Sequence, residues 1–186
     1  MPLAQLISAA QLQQRLAEPD LLILDCRFAL DDLSYGERQY ADGHIPGAQF
    51  ADLERDLSGP IHKGITGRHP LPEPAQLLQR LREWGLSNQS EVVLYDDGPG
   101  AFAARAWWLL AWLGKRKGVY LLDGGLKAWR AAGGALTPDL PTPISGTFSG
   151  SADASLLVST TQLQQRLGDQ QMTLLDARGL PRFRGE

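Results

Sequence analysis

The 186-residue sequence contains one cysteine, Cys26, and only three histidines. A single thiol excludes an intrachain disulfide and any metal site built from several cysteines. Long apolar runs are missing too: no stretch of about 18 residues is continuously apolar, so no segment reads as a membrane-spanning helix. Positive charge is not in excess, with 18 Lys and Arg against 21 Asp and Glu. A phosphate backbone is usually tracked by a basic face or stripe, and nothing of that kind is present. Neither nucleic acid nor membrane is therefore an expected partner. The N-terminal stretch "MPLAQLISAAQLQQRL" lacks the basic start and continuous apolar core of a secretory signal. The expected location is cytoplasmic.

What the sequence does contain is a repeat of domain size. Ser8 to Arg27 reads "SAAQLQQRLAEPDLLILDCR", and Ser159 to Arg178 reads "STTQLQQRLGDQQMTLLDAR". The two align without gaps at an offset of 151 residues, with ten of twenty positions identical. Each copy predicts a serine-capped amphipathic helix followed by a short apolar strand that ends in Asp-x-Arg. So long a period implies two related domains rather than a solenoid. The expected organisation is a first domain over 1–135, a linker over 136–155 and the start of a second domain over 156–186. The linker "LTPDLPTPISGTFSGSADAS" has the Pro, Ser, Thr and Gly content of an extended connector.

Within the first domain, apolar runs and helical periodicities alternate. "LLILD", "EVVLY" and "GVYLL" read as buried strands, and "HIPGA" forces a turn before another short strand. "PEPAQLLQRLREWGL", "AFAARAWWLLAWL" and "LKAWRAAGG" read as helices. Alternation of this kind predicts an α/β fold with a parallel sheet covered on both faces, and ligands on such sheets sit beyond the carboxyl ends of the strands. Those ends carry Asp25-Cys26-Arg27, Asp96-Asp97-Gly98 and Asp123-Gly124-Gly125. Cys26 follows an apolar strand, and its counterpart in the repeat is Ala177. It is expected to be a buried thiol acting as a small hydrophobe. No cluster of His or carboxylate residues at ligand spacing accompanies Asp96, so neither a metal nor a cofactor is expected.

In order along the chain, "LLILDCR", "YADGHIPGA", "VVLYDDG" with its following helix, and "VYLLDGGLKAW" resemble a rhodanese domain. The tandem arrangement is similar to the two-domain thiosulfate/3-mercaptopyruvate sulfurtransferases. The resemblance implies a five-stranded parallel sheet flanked by helices. It also implies transfer of sulfane sulfur from thiosulfate or 3-mercaptopyruvate to a thiophilic acceptor, cyanide or a thiol, through a cysteine persulfide. In that family the sulfur carrier opens the loop after the central strand, and the matching position here is Asp96. A carboxylate cannot form a persulfide, so the first domain is expected to be inactive.

Two readings of Asp96 stand: a fixed anion that satisfies loop amides, or a cap of the helix beginning near Ala101. The family's carrier cysteine belongs to the second domain, of which residues 156–186 match only the opening, so this chain alone is expected to be inactive. Arg182, in "RFRG", matches an arginine that holds a substrate carboxylate, and the guanidinium fork suits that anion. Glu54 and His69, in the insertion "FADLERDLSGPIHKGITGRHPLPEP", match an acid–histidine pair proposed to activate a serine of the second domain. His62 competes with His69 for that match. The alternative is a non-catalytic rhodanese-like binding or regulatory module.

Overall fold

The computed structural model describes residues 4–186. The first three residues of the expected first domain therefore lie outside it. The chain divides into two compact units, the first ending at Asp153 and the second running from Ala154 to Glu186.

The first unit is a five-stranded sheet in the order β1-β5-β4-β2-β3, with every neighbouring pair parallel. The strands are β1 (Gln5–Ile7), β2 (Leu21–Asp25), β3 (Gln49–Phe50), β4 (Glu91–Tyr95) and β5 (Val119–Leu122). Between them run α1 (Ala9–Arg15), α2 (Tyr35–Asp42), α3 (Pro74–Glu83) and α4 (Ala101–Trp112), and α5 (Gly125–Ala131) follows β5. β2 and β4 are the central strands and are buried on both sides, which is why both read as unbroken apolar runs. On one face Ile23, Val93 and Tyr95 pack with Leu12 of α1 and with Leu126 and Trp129 of α5. Strand alternation sends Leu22, Leu24, Val92 and Leu94 to the opposite face, and α4 lies against β4 and β5.

The serine cap expected at the first helix is a full capping box. Ser8 Oγ accepts from Gln11 N at 3.2 Å, and Ser8 N donates to Gln11 Oε1 at 2.9 Å. The strand β1 carries no sequence signal, because three residues are too few to show alternation. It exists through its pairing with β5, which also draws Asp123 N onto Ile7 O at 2.9 Å.

Residues 136–153 form no helix or strand beyond a bridge at Thr137, yet they are strapped to the first unit. His44 and Thr137 exchange backbone hydrogen bonds at 3.0 and 2.9 Å. Gly146 N donates to Arg82 O, Phe148 N to Leu86 O and Asp153 N to Trp112 O. Phe148 is the one aromatic of this Ser/Gly-rich stretch, and it is only 3% exposed. The first compact unit thus extends past the boundary expected at 135, because Phe148, Leu136 and a series of main-chain bonds hold the segment down.

In the second unit α6 (Thr160–Arg166) repeats the capping box with Ser159 and Gln162. The strand expected at "TLL" does not form: residues 173–176 have no ladder partner, and Leu174 and Leu175 are exposed. A strand needs a neighbour to satisfy its backbone. A short helix, α7 (Leu180–Arg184), closes the unit.

Candidate active-site loop

The central strand β4 delivers Tyr95 and then Asp96 to the carboxyl edge of the sheet. Asp96 is 1% exposed, and its carboxylate gathers four backbone amides. Oδ1 accepts from Gly98 N and Gly100 N at 3.0 and 3.1 Å, while Oδ2 accepts from Phe102 N and Ala103 N at 3.1 Å each. Both readings of the residue are realised, one by each oxygen. Oδ2 caps the first turn of α4, and Oδ1 fills the loop donors that lead into it. Gly100 makes this possible by entering the left-handed region at φ 85°. Asp96 O accepts from Leu126 N at 2.9 Å, which ties the start of α5 to the same loop. A cavity of about 480 Å³ opens beside it, lined in part by Leu94, Gly98, Ala103, Leu121 and Gly125.

The one cysteine of the sequence follows β2 and is not on this loop. Cys26 is 1% exposed, with Sγ 3.8 Å from Leu24 O. Burial, helped by the nearby Asp25 and Asp96 carboxylates, pushes its thiol well above the ordinary value. The residues either side of Cys26 form a buried ionic knot. Arg27 Nε and Nη2 grip the Asp25 carboxylate, Nη2 also donates to Gly43 O at 2.9 Å, and Tyr95 Oη donates to Asp25 Oδ2 at 2.7 Å. Ile45 N donates to Tyr95 Oη at 3.2 Å, which fixes the "HIPG" turn against the central strands.

The insertion brings Glu54 and His69 together. His69 Nε2 is 3.5 Å from Glu54 Oε1, and the two side chains border a cavity of about 200 Å³ with Ser58, Pro60, Ile61 and Arg68. The His69 and Phe28 rings stand nearly perpendicular, with centroids 5.9 Å apart. Burial lowers the proton affinity of His69. Glu54 opposes that effect, while Arg68 and Arg105 add to it. His62 is exposed and belongs to a separate turn, its carbonyl accepting from Ile65 N and Thr66 N. Of the two candidate histidines, His69 is the one beside an acid, although the approach at 3.5 Å makes no hydrogen bond and Nε2 is buried without one among the described residues. Arg182 lies on α7 in the second unit, exposed to solvent. Among the described residues no group of three or more His, Cys, Asp or Glu side chains is arranged to hold a metal. No helix among them is long and apolar enough to cross a membrane.

Sequence reasoning missed Arg105 on α4. Its side chain reaches the insertion and donates to Leu57 O, Ser58 Oγ and Pro70 O. The available signal was its isolation, as the one charged residue in an otherwise apolar helix.

The rhodanese-like domain family matches residues 8–132. Over 186 residues the chain is 66% identical to a Pseudomonas aeruginosa protein named as a probable 3-mercaptopyruvate sulfurtransferase, covering 100% of this chain and 66% of that protein. It is 36% identical over 181 residues to a thiosulfate sulfurtransferase of Azotobacter vinelandii, covering 97% of this chain and 62% of the relative. The chain thus spans a little under two thirds of the length of these relatives. The crystal structure of SseA from Escherichia coli, described as a 3-mercaptopyruvate sulfotransferase with the rhodanese fold, superposes with a TM-score of 0.85 at 29% identity. That match covers 97% of this chain and 68% of SseA. With a parallel sheet in this order, an anion cradle on the loop after its central strand and a family match over residues 8–132, the chain belongs to the rhodanese family.

Proposed function

We propose that the whole protein is a sulfurtransferase and that residues 4–153 are its non-catalytic half. The observation that carries this reading is the Asp96 cradle. Four amides converge where a thiolate would be stabilised, and a carboxylate already holds them. The names of the relatives supply the reaction class. A cysteine thiolate outside residues 1–186 attacks the sulfane sulfur of thiosulfate or the sulfur of 3-mercaptopyruvate. A persulfide S–S bond forms, the donor's bond to that sulfur breaks, and the electron pair leaves with sulfite or with the pyruvate enolate. Cyanide or a thiolate then attacks the outer sulfur, and the cysteine leaves as a thiolate.

In this scheme Glu54 and His69 handle a proton at the rim of the first unit. Burial lowers the proton affinity of His69, which favours the neutral imidazole that a proton acceptor requires. Arg182 binds the donor's carboxylate or its thiosulfate dianion. The second unit, Ala154–Glu186, is the opening of the catalytic domain. Its exposed Leu174 and Leu175 take the place of the buried Ile23 and Leu24 of the first repeat, and they are covered when the rest of that domain is present.

The test is thiocyanate formation from cyanide with thiosulfate or 3-mercaptopyruvate as donor, and persulfide mass, for residues 1–186 beside the complete protein. The expected result is turnover and a persulfide only in the complete protein. Turnover by residues 1–186, or a stable persulfide on Cys26, would overturn the assignment. A complete protein without turnover on either donor would favour a binding module instead.

A further inference from the structure

Arg105 makes four hydrogen-bond contacts, and none is to a carboxylate. Nε donates to Leu57 O at 3.0 Å, and Nη2 reaches Leu57 O at 2.8 Å, Ser58 Oγ at 3.2 Å and Pro70 O at 3.0 Å. Gly59 N donates to the same Pro70 oxygen at 3.1 Å. Residues 57–59 and 70 therefore form a closed neck, and the excursion 59–69 loops out from it. His69 is the last residue of that excursion, and Glu54 precedes the neck by three residues. The pair lies at the one point of the loop where both chain ends are held.

A guanidinium fork can bond several carbonyls lying in different directions, whereas a lysine ammonium offers a point charge without that planar geometry. Among the described residues no carboxylate forms an ion pair with this cation. Burial lowers its own proton affinity, and its charge acts on His69 in the same sense. The charged groups that face His69 are Glu54, Arg68 and Arg105.

We propose that Arg105 is a positioning residue for the Glu54–His69 pair, its fork clamping both ends of the 59–69 excursion so that the imidazole keeps its register against Glu54. This rests on the reading of that pair as the proton-handling group of a sulfurtransferase, and it deepens that reading. The clamp needs no contact with any substrate and acts entirely through the loop.

Two arms separate the clamp from the functional reading. In the first, ring-proton NMR of residues 1–186 follows His69 through the acid-to-neutral range in the parent, Arg105→Lys and Arg105→Met chains. The ring-proton shifts of His44 and His62 at one fixed pH serve as references for the fold. The expected result is an upward shift of the His69 inflection, larger for Met than for Lys, with faster exchange of the Gly59 amide and unchanged references. An Arg105→Lys chain whose His69 inflection and Gly59 exchange both match the parent overturns the clamp, even if the Met chain fails to fold.

In the second arm, the complete protein carries Arg105→Lys and turnover is followed against pH. The expected result is a fall in kcat of about ten- to a hundredfold with KM held, and an acid limb moved upward. Unchanged kcat and acid limb in an active protein overturn the positioning role. A complete protein with no turnover removes the functional reading, and the first arm alone then decides the clamp.

Discussion

Arg27 grips Asp25 through a bidentate pair, Nε to Oδ1 and Nη2 to Oδ2, in which both side chains are fully buried. The same geometry recurs 151 residues later, where Arg178 N, Nε and Nη2 reach the Asp176 carboxylate in the open. Hydrogen bonds from Arg178 hold the Asp176 carboxyl down at about 2. The Asp-x-Arg sequence therefore closes on itself locally, with no sheet required. What the sheet adds in the first unit is burial, the Tyr95 hydroxyl and the Gly43 carbonyl.

Burial makes the first pair costly to break. In Asp25→Asn the guanidinium stays in the interior without its counter-charge, for an expected loss of roughly 3–5 kcal/mol. Urea unfolding of the chain measures it. Asp176→Asn, made at the exposed copy, is expected to leave the same transition unmoved. Equal effects at the two positions would mean that burial is not what gives the first pair its weight.

The Asp96 cradle predicts opposite outcomes for two substitutions. Asp96→Ala leaves four amides without their acceptor and is expected to cost about 2–4 kcal/mol, with weaker protection of the first turn of α4 in hydrogen exchange. Asp96→Cys, made together with Cys26→Ala, places a thiol among the same donors. Its inflection, read from the pH dependence of alkylation, is expected below that of an unperturbed cysteine. In the parent chain Cys26 is expected to resist alkylation until urea unfolds it. An Asp96→Cys thiol titrating like free cysteine would mean that the amides do not form an anion site.

Much of this arrangement can be read in the sequence, for identifiable reasons. The central strands are buried on both sides and so announce themselves as apolar runs, and the serine caps and the Asp96 loop are local in sequence. Glu54 and His69 were named only through a resemblance, because no local rule links residues fifteen apart across an irregular loop. The strap at Phe148, the β1 pairing and the Tyr95–Asp25 bond all depend on partners at least sixty residues away. At "TLL" the local pattern did predict a strand, and the missing ladder partner prevented it. Arg105 was hidden because three of its four contacts are to main-chain carbonyls, which leave no trace in side-chain spacing.

Gly125 reports on the junction between the Asp96 loop and α5. Its φ is +56°, and a Cβ there would sit 2.4 Å from Asp96 O, the acceptor of the Leu126 amide. Gly125→Ala therefore combines a left-handed backbone with a clash against main chain, and is expected to cost about 2–4 kcal/mol. Gly47→Ala is the reference. Its φ is +81° with nothing within 4 Å of the added carbon, so only the conformational cost of about 1–2 kcal/mol remains. Thermal unfolding of the two variants side by side should rank them in that order, and a reversed order would count against the contact with Asp96.

His69 gives the chain an acid-sensitive element whose sign follows from its surroundings. Burial depresses its folded value below the ordinary 6.5, so the unfolded chain binds that proton more tightly. The stability the residue contributes is complete above about 6.5 and is lost as pH falls through the lower folded value. Glu54 opposes the depression, so Glu54→Gln is expected to lower the His69 inflection further and to widen the window over which stability falls. His69→Gln is expected to remove this part of the dependence. Urea midpoints across that pH range, with the His69 ring followed by NMR, test both statements. A His69 inflection that rises in Glu54→Gln would mean that the carboxylate 3.5 Å away does not act on the ring.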